Sequence, residues 1–523
     1  MKGGRSMRIT SLLLAVMLCV LGIGSAGIVH GAPAPKCKVQ GGTLRYGLVR
    51  DPTTFDPHIN DGVTSSSIQG NVYDGLVEFG PDGEVAPALA ESWMQPTPST
   101  YVFRLRHNVT FHDGTPFTAA DVLYTFQRIQ DPKTAATRQL DLKTSVRAIK
   151  AVDPYTVEID LTQPTATFLQ MLAAREMYIV SKAWGDRGGD FKRAMNGTGS
   201  YRLASYEPHV RYVLERYAKA WNTPCIDRIE MTPINNDQAR MDALKSGQVD
   251  FTEYVIWQET EYFFTHPGFR VYRGRDLFDF VRLNPNRPPL DRPQVRQALN
   301  FAINRQTINI VAFGGQGLPM EGFLTKPDSW AYNPDTSKVW KYDPKRATAL
   351  LADAGLKPQD LHLTFEADPG PETFDPAQVI LTELRQLGVN VDFKIIDIPT
   401  LVKKRANGDF LLLMDGKSLP WNDPDAYFDF FYSAGTNYAA AVKFKNTQLD
   451  QLLERGRTTT NPALRKPMYA GVERILYQQA PWIFAVWRPQ AEAGRSFVKG
   501  YVRLPGALGT YTPGHFNRLW IEK

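Results

Sequence analysis

Residues 88–129 read ALAESWMQPTPSTYVFRLRHNVTFHDGTPFTAADVLYTFQRI. The period of the pattern changes inside this stretch. YVFRLR and VTFHDGT alternate apolar and polar residues over short runs, as half-buried strands do. TAADVLYTFQRI spaces its apolar residues for a helix, with Thr118 in the N-cap place. Alternation returns in YTVEIDLT (155–162). The region from about 85 to 165 therefore predicts an antiparallel insert carrying one helix. His112-Asp113-Gly114 lies between a strand and the capped helix, so it reads as turn chemistry rather than as a catalytic group.

On either side of the insert the grammar is strand–helix–strand. TLRYGLV follows Gly41-Gly42, and DRIEMTPI, NDQARMDALKSGQ and VDFTEYV follow the insert. In the helix, Asn236 or Asp237 caps the start and Gly247 the end. At 373–397, Asp375 is placed as cap, Pro376 in the first turn, VILTELRQL on the apolar face and Gly388 as the stop before VNVDFKIID. YDPKRATALLADAGL repeats the Asp-Pro start and Gly stop. Past VRLNPNRPPLDRP, Val295, Ala298, Leu299, Ala302 and Ile303 mark a helix face. These repeats predict two α/β lobes with parallel strands and helices on both faces. No low-complexity linker separates the parts, so the lobes are expected to be joined by crossing strands.

A chain of 523 residues exceeds one compact core and calls for two or three domains. With 43% hydrophobic and 22% charged residues, it matches neither a long disordered segment nor a polytopic membrane protein. Its first residues differ from the rest. Lys2, Arg5 and Arg8 precede an apolar run from Ser11 through Gly22, and small residues lead to Val29-His30-Gly31, the order of a secretory signal peptide cleaved after Gly31. Cys19 lacks the small preceding residues of a lipoprotein site. Removing residues 1–31 lowers the formal charge from +6 to +3. No basic stripe is interleaved with aromatics, so nucleic-acid binding is not expected. The exported chain keeps Cys37 and Cys225. At this stage a disulfide and two buried thiols are equally open.

No GxSxG, HExxH or GxxxxGK[ST] motif occurs. The eight histidines are scattered, and two cysteines cannot build a four-ligand zinc site. Neither a metal nor a cofactor is expected. LPWNDPDAYF (419–428) offers Asp423 and Asp425 as an acid pair for an exported hydrolase, but Asp-Pro-Asp before an aromatic run also opens helices, with Asp423 as cap and Pro424 in the first turn.

The stretch at 88–129 closely resembles the signature segment of the family 5 extracellular solute-binding proteins, the dipeptide-, oligopeptide- and nickel-type receptors of ABC importers. The resemblance continues through GTGSYRLASYEPHVRYVLERYAKAW (197–221), DRPQVRQALNFAINRQTI (291–308) and LDQLLERGRTTTNPALRKPMYAGVERILYQQAPWIFAVW (449–487), and covers essentially the whole exported chain. It implies an α/β, periplasmic-binding-protein type II fold, with two α/β lobes, a hinge and an extra, mostly antiparallel β insert. Domain I would comprise 40–75, 196–272 and 487–523, domain II 76–195, and domain III 273–486. Hinge strands are expected near Asp279–Leu283 and Ala485–Trp487. In such a fold the strands after Cys37 and Cys225 become parallel neighbours, which favours a Cys37–Cys225 bridge.

The resemblance also implies ligand contacts. Asp61, Gly62 and Thr64 follow the first strand, where family members touch ligand backbone. Trp257, Trp421, Asn437, Tyr438 and Trp487 occupy other cleft positions. In dipeptide-binding members an Asp three residues before the Asp-Pro step holds the peptide ammonium. Here that position is Pro420. Their carboxylate-binding Arg, four residues before a helix-opening Pro, is here Glu372. Lys417 stands where an aromatic is frequent. Both familiar handles are thus replaced, and a different polar ligand is expected, contacted by Lys417 and Glu372. The role implied is a periplasmic, monomeric receptor that hands a small peptide-like or other polar solute to permease and ATPase subunits. The rival readings are the hydrolase and a periplasmic peptide-binding chaperone.

Overall fold

The computed structural model describes residues 37–522, apart from 60, 61, 436 and 515. The leader reading (1–31) and Asp61 lie outside the described residues.

The chain enters through β1 (Thr43–Leu48) and α1 (Val63–Val72). The insert then forms β2 (Ala90–Thr97), β3 (Thr100–Leu105), α2 (Ala119–Gln130), β4 (Val146–Asp153) and β5 (Thr156–Leu161). Its strands make an antiparallel sheet in the order β2-β3-β5-β4. The start of α2 is fixed locally, because the Thr118 N–H donates to Asp121 Oδ2 at 2.9 Å. VTFHDGT is not a strand. Only an isolated bridge joins Thr110 to Pro116, and Gly114 at φ 85° makes a tight turn whose N–H donates to Phe111 O. Two turn-forming residues in seven leave too few for a ladder.

Beyond the insert come β6 (Tyr201–Glu207), β7 (Arg211–Arg216), β8 (Arg228–Pro233), α3 (Asp237–Ser246), β9 (Phe251–Thr252) and α4 (Trp257–Thr265). Strand β1 runs parallel to β8 and to β9. The leading ends of β1 and β8 lie side by side, and just ahead of them Cys37 and Cys225 form a disulfide with 5.4 Å between their Cα atoms. Helix α3 begins where Asn236 Oδ1 accepts from the Ala239 N–H (2.8 Å) and ends at Gly247 (φ 82°).

The chain then leaves this lobe along β10 (Phe269–Leu283), and the far lobe follows. Its main elements are α5 (Pro293–Phe301), α6 (Pro344–Asp353), β11 (His362–Ala367), α7 (Pro371–Leu387), β12 (Asn390–Ile395), α8 (Ile398–Asn407), β13 (Leu412–Ser418), α9 (Ala426–Phe431), α10 (Thr447–Thr458) and α11 (Pro462–Gln479). Strand β14 (Trp482–Arg495) returns to the first lobe. Helix α7 starts at Pro371, one turn before the expected Asp375 cap. Pro371 supplies the fixed φ of a first turn, and the interior Pro376 gives up only a bond to the Glu372 carbonyl near the helix start.

One sheet of eleven strands spans both lobes, in the order β12-β11-β13-β10-β14-β9-β1-β8-β7-β6, with a short strand Leu318–Pro319 beside β14. Its middle is the antiparallel pair β10 and β14, 15 and 14 residues long. These are the crossing strands, and no tether is needed. Separate cores lie on either side. Leu44, Tyr46, Ile229 and Met231 fill the first lobe. Phe103, Phe126 and Ile159 fill the insert. In the far lobe, Trp482 stacks on Phe280 with 3.9 Å between ring centroids.

Candidate functional site

Strand alternation decides what the crossing strands present. Phe278 and Phe280 point into the aromatic core beside Trp482. Asp279, between them, points to the opposite face, level with Gly416 of β13 and Val486 of β14. Asp279 is completely buried, yet neither carboxylate oxygen meets a hydrogen-bond donor among the described residues. The Arg488 guanidinium is close, with Nη1 3.9 Å from Asp279 Oδ1, too far for a hydrogen bond. Arg488 Nε is likewise without an acceptor. Gly416 makes this arrangement possible, since a Cβ there would stand 2.9 Å from Asp279 Oδ1 and 3.9 Å from Arg488 Nη1.

Both lobes contribute to the surroundings. Burial pushes the Asp279 carboxyl up to about 8; Glu372, Asp415 and Asp368 reinforce that shift and Arg488 opposes it. Against the cost of its own burial, Arg488 is raised by Asp279, Glu372, Tyr254 and Asp368. Tyr254 follows β9 in the first lobe, while Glu372 lies in the first turn of α7 in the far lobe. Burial raises the Tyr254 phenol, and Glu372 adds to it. Groups from both lobes thus act electrostatically on Arg488.

The strand beside them has a partly open edge. Strand β13 pairs with β11 only at Leu412 and Leu413. From Met414 to Ser418 it ladders with β10 alone. Its other edge along that run has no strand partner among the described residues, which suits an extended ligand backbone.

Several sequence-named residues stand elsewhere. Lys417 lies level with Phe278, one residue out of phase with Gly416. Its ammonium is pushed down to about 8 by burial, while Asp415 pulls the other way. Asp415 is itself held by Arg282 (2.6 Å) and Arg405 of α8 (3.2 Å). Lys417 and Glu372 therefore belong to different faces of the sheet, not to one polar spot. Trp421 is 1% exposed and packs into the insert's core, with the Arg138 guanidinium 5.2 Å from its ring. Tyr438 is fully buried and donates to the Leu283 carbonyl at 2.7 Å. An indole and a phenol fill core and cleft equally well, so their type did not separate the two.

Asn437 accepts a long bond from Arg282 Nη2 (3.5 Å). Trp487 is buried beside Phe278, and the Lys326 ammonium lies 4.9 Å from its ring centroid. Thr64 donates to Glu253 Oε1 (2.9 Å), and Gly62 precedes α1 at φ 117°. Trp257 opens α4 beside a cavity of about 670 Å³, lined by Arg275, Asp276, Lys326, Gln490 and Arg503.

Asp423 and Asp425 do not form an acid–base pair. Arg465 of α11 binds both oxygens of Asp423 (2.8 and 2.5 Å). Arg457 of α10 binds Asp425 (2.9 Å), which also accepts from Thr167 of the insert (2.8 Å). Both carboxylates are committed to holding segments together. No cluster of metal-ligating side chains occurs among the described residues.

Sequence reasoning named Asp279 only as a hinge position, and did not single out Arg488, Gly416 or Tyr254. One signal was present, since Phe-Asp-Phe sets a charge inside an apolar strand.

Comparison with known proteins places the chain. A model of the bacterial extracellular solute-binding proteins, family 5, matches residues 84–439. A glutathione-binding protein of Shigella dysenteriae serotype 1 is 27% identical over 92% of the chain and 96% of its own length. The dipeptide-binding protein of Escherichia coli K12 is 28% identical over 96% and 98%. Among solved structures, the binding protein AgaA from A. tumefaciens R10, in complex with agropinic acid, superposes with a TM-score of 0.84 at 27% identity, covering 92% of this chain and 99% of its own. The periplasmic binding protein DppA of Helicobacter pylori, bound to the peptide STSA, gives 0.82 at 25% identity, covering 93% and 99%.

Proposed function

The chain belongs to the bacterial extracellular solute-binding proteins of family 5, and on that premise we propose that it captures a small polar, peptide-like solute between its two lobes and delivers it unchanged to the permease of an ABC importer. One observation carries the reading. Where β10 and β14 cross between the lobes, Asp279 and Arg488 are left short of partners, and Tyr254 of one lobe and Glu372 of the other both act electrostatically on Arg488. A solute that meets both lobes at once favours their closed arrangement by the difference in its affinity for the two states. Closure also removes water and strengthens each polar contact. The open edge of Met414–Ser418 would pair with an extended backbone. No covalent step is involved.

The names of the relatives, which bind glutathione and dipeptides, support a peptide-like class. We extend the reading to the rest of the molecule. Domain I comprises 40–75, 196–272 and 487–523, domain II 76–195 and domain III 273–486, a division supported by the separate cores of the insert, the far lobe and the first lobe, which holds two. Export to the periplasm follows cleavage near Gly31, and permease and ATPase subunits complete the importer. Of the residues named from sequence, Gly62, Trp257 and Glu372 stay on the proposed ligand path.

Native mass spectrometry and small-angle scattering on the purified protein test this together. One solute per chain should be retained, and its removal should expand the particle. An unchanged scattering curve with no solute retained rejects the reading.

A further inference from the structure

We propose that Trp421 is a closure latch. Carried by the far lobe, its indole seats in the core of the insert, holds the lobes together independently of the solute, and so sets how fast a captured solute escapes. This rests on the solute-binding reading and deepens it, by naming residues off the solute's path that bias closure.

The insert is fixed to the first lobe. Val180 and Phe191 of the insert share one core with Tyr46 and Ile229, and Arg128 of α2 binds both oxygens of Asp56 (3.0 and 2.6 Å). The far lobe is joined to that unit through β10 and β14. When it swings about those strands, whatever it touches on the insert must part. Trp421 is its one side chain in the insert's core among the described residues, 1% exposed, with Leu504 and Leu508 of the first lobe in the same cluster. Arg138 of the insert stands 5.2 Å from the indole and pairs with Asp429 of α9 (3.4 Å). Beside it, Thr167 Oγ1 donates to Asp425 Oδ2 (2.8 Å), and the Ala166 N–H donates to the Arg457 carbonyl (2.9 Å). All of these contacts run from protein to protein. They favour the closed arrangement in the empty and the loaded chain alike, so a solute needs less differential affinity to keep it populated.

Size decides which contact matters most. A tryptophan buries about 150–250 Å², and its withdrawal brings both the indole and the vacated socket into water. Asn422 lies at the exposed rim, where hydrogen bonds exchange with water at little net cost. Its Nδ2 donates to the Pro505 carbonyl (2.9 Å) and its Oδ1 accepts from the Ala507 N–H (2.6 Å). Gly506, between them, permits that approach, since a Cβ there would collide with the Asn422 amide. Asn422 therefore aims Trp421 into its socket, and the indole does the holding. The indole Nε1 meets no acceptor there. Release to water gives it one, which keeps the latch able to open.

Small-angle scattering, and timed dialysis read by native mass spectrometry, test the latch on the full exported chain. With solute bound, the parent, Trp421→Ala and Trp421→Phe should scatter alike. With solute removed, Trp421→Ala should be more expanded than the parent, while Trp421→Phe, which keeps a ring in the socket, should follow the parent. Trp421→Ala should also lose its co-purified solute roughly tenfold faster. A merely structural role would lower the unfolding midpoint and move neither readout. Hydroxyl-radical footprinting of the unaltered protein needs no variant to fold. Oxidation of Trp421 should rise when solute is removed, while Trp340, fully buried in the far lobe, stays protected. Trp421 equally protected in the expanded, empty protein, or Trp421→Ala with the parent's empty-state curve and release rate, overturns the proposal and leaves the receptor reading intact. A parent that retains no solute and never changes shape refutes both.

Discussion

Arg465 grips Asp423 with two charge-assisted hydrogen bonds, from Nη1 to Oδ2 at 2.8 Å and from Nη2 to Oδ1 at 2.5 Å, and both side chains are buried. Removing one partner strands the other charge away from water. Arg465→Ala should lower unfolding free energy by about 3–5 kcal/mol. Replacing both partners by apolar residues of similar volume should recover much of the loss. Urea unfolding of the two variants measures the difference. If Arg465→Ala unfolds at the same urea concentration as the parent, the pair is not structural.

The Cys37–Cys225 bridge spans 188 residues of sequence. It joins the leading ends of β1 and β8, and the Gly41 N–H donates to the Cys225 carbonyl at 2.8 Å. Cys37→Ser with Cys225→Ser should cost about 2–4 kcal/mol, chiefly by releasing the unfolded chain. Solute affinity should stay within about twofold, because distant independent sites do not couple. A large loss of affinity in the folded variant would place the bridge in the binding machinery.

Gly197 lies so close to α1 that a Cβ there would stand 1.9 Å from the Val72 carbonyl oxygen. Backbone cannot swing aside as a side chain can. Gly197→Ala should therefore destabilise by roughly 1–3 kcal/mol or more, through overpacking. Gly268→Ala, where the new Cβ would meet nothing within 4 Å, is the matched control and should sit within about 0.5 kcal/mol of the parent. Thermal melts of the two suffice; equal melting temperatures would refute the contact.

Local chemistry made much of the fold legible. Thr118, Asn236 and Asp343 start helices through bonds spanning only three residues, so their neighbours in sequence were enough to identify them. Pro376 misled because Pro371, five residues earlier, is the better first-turn residue, and local rules rank the two alike. The continuous sheet was legible only as two lobes; that β10 and β14 fuse them depends on pairing across 200 residues. The site was harder still. Trp421 and Tyr438 carry the same chemistry in a core as in a cleft. Asp279 becomes a candidate only once Gly416 and Arg488 are seen beside it with its oxygens unpartnered.

Stability should peak in acidic solution, because two sets of groups titrate in opposite senses. Burial pushes Glu78 and Glu383 up to about 7 and Glu492 up to about 8, in each case against opposing cations or donors. Unfolded, these carboxyls titrate near 4.5. Between the two values the native chain binds more protons than the unfolded chain, so stability declines as pH rises from 4.5 through about 8. His58 and His112 behave in reverse. Burial lowers both to about 4 from 6.5, and Arg128, whose Nη1 donates to His58 Nδ1, lowers His58 further. The unfolded chain takes up protons first at these sites, so their contribution falls as pH drops from 6.5 toward 4. With three such carboxyls set against two histidines, the terms balance and the maximum should lie at about pH 4.5. Glu383→Gln keeps an acceptor for the Asn304 N–H, which Glu383 Oε2 receives at 2.8 Å. It removes one alkaline-side titration and should flatten the decline above pH 6. Midpoints of urea unfolding from pH 4 to 9 measure the curve, and a midpoint that climbs steadily from pH 5 to 8 contradicts the assignment of these carboxyls.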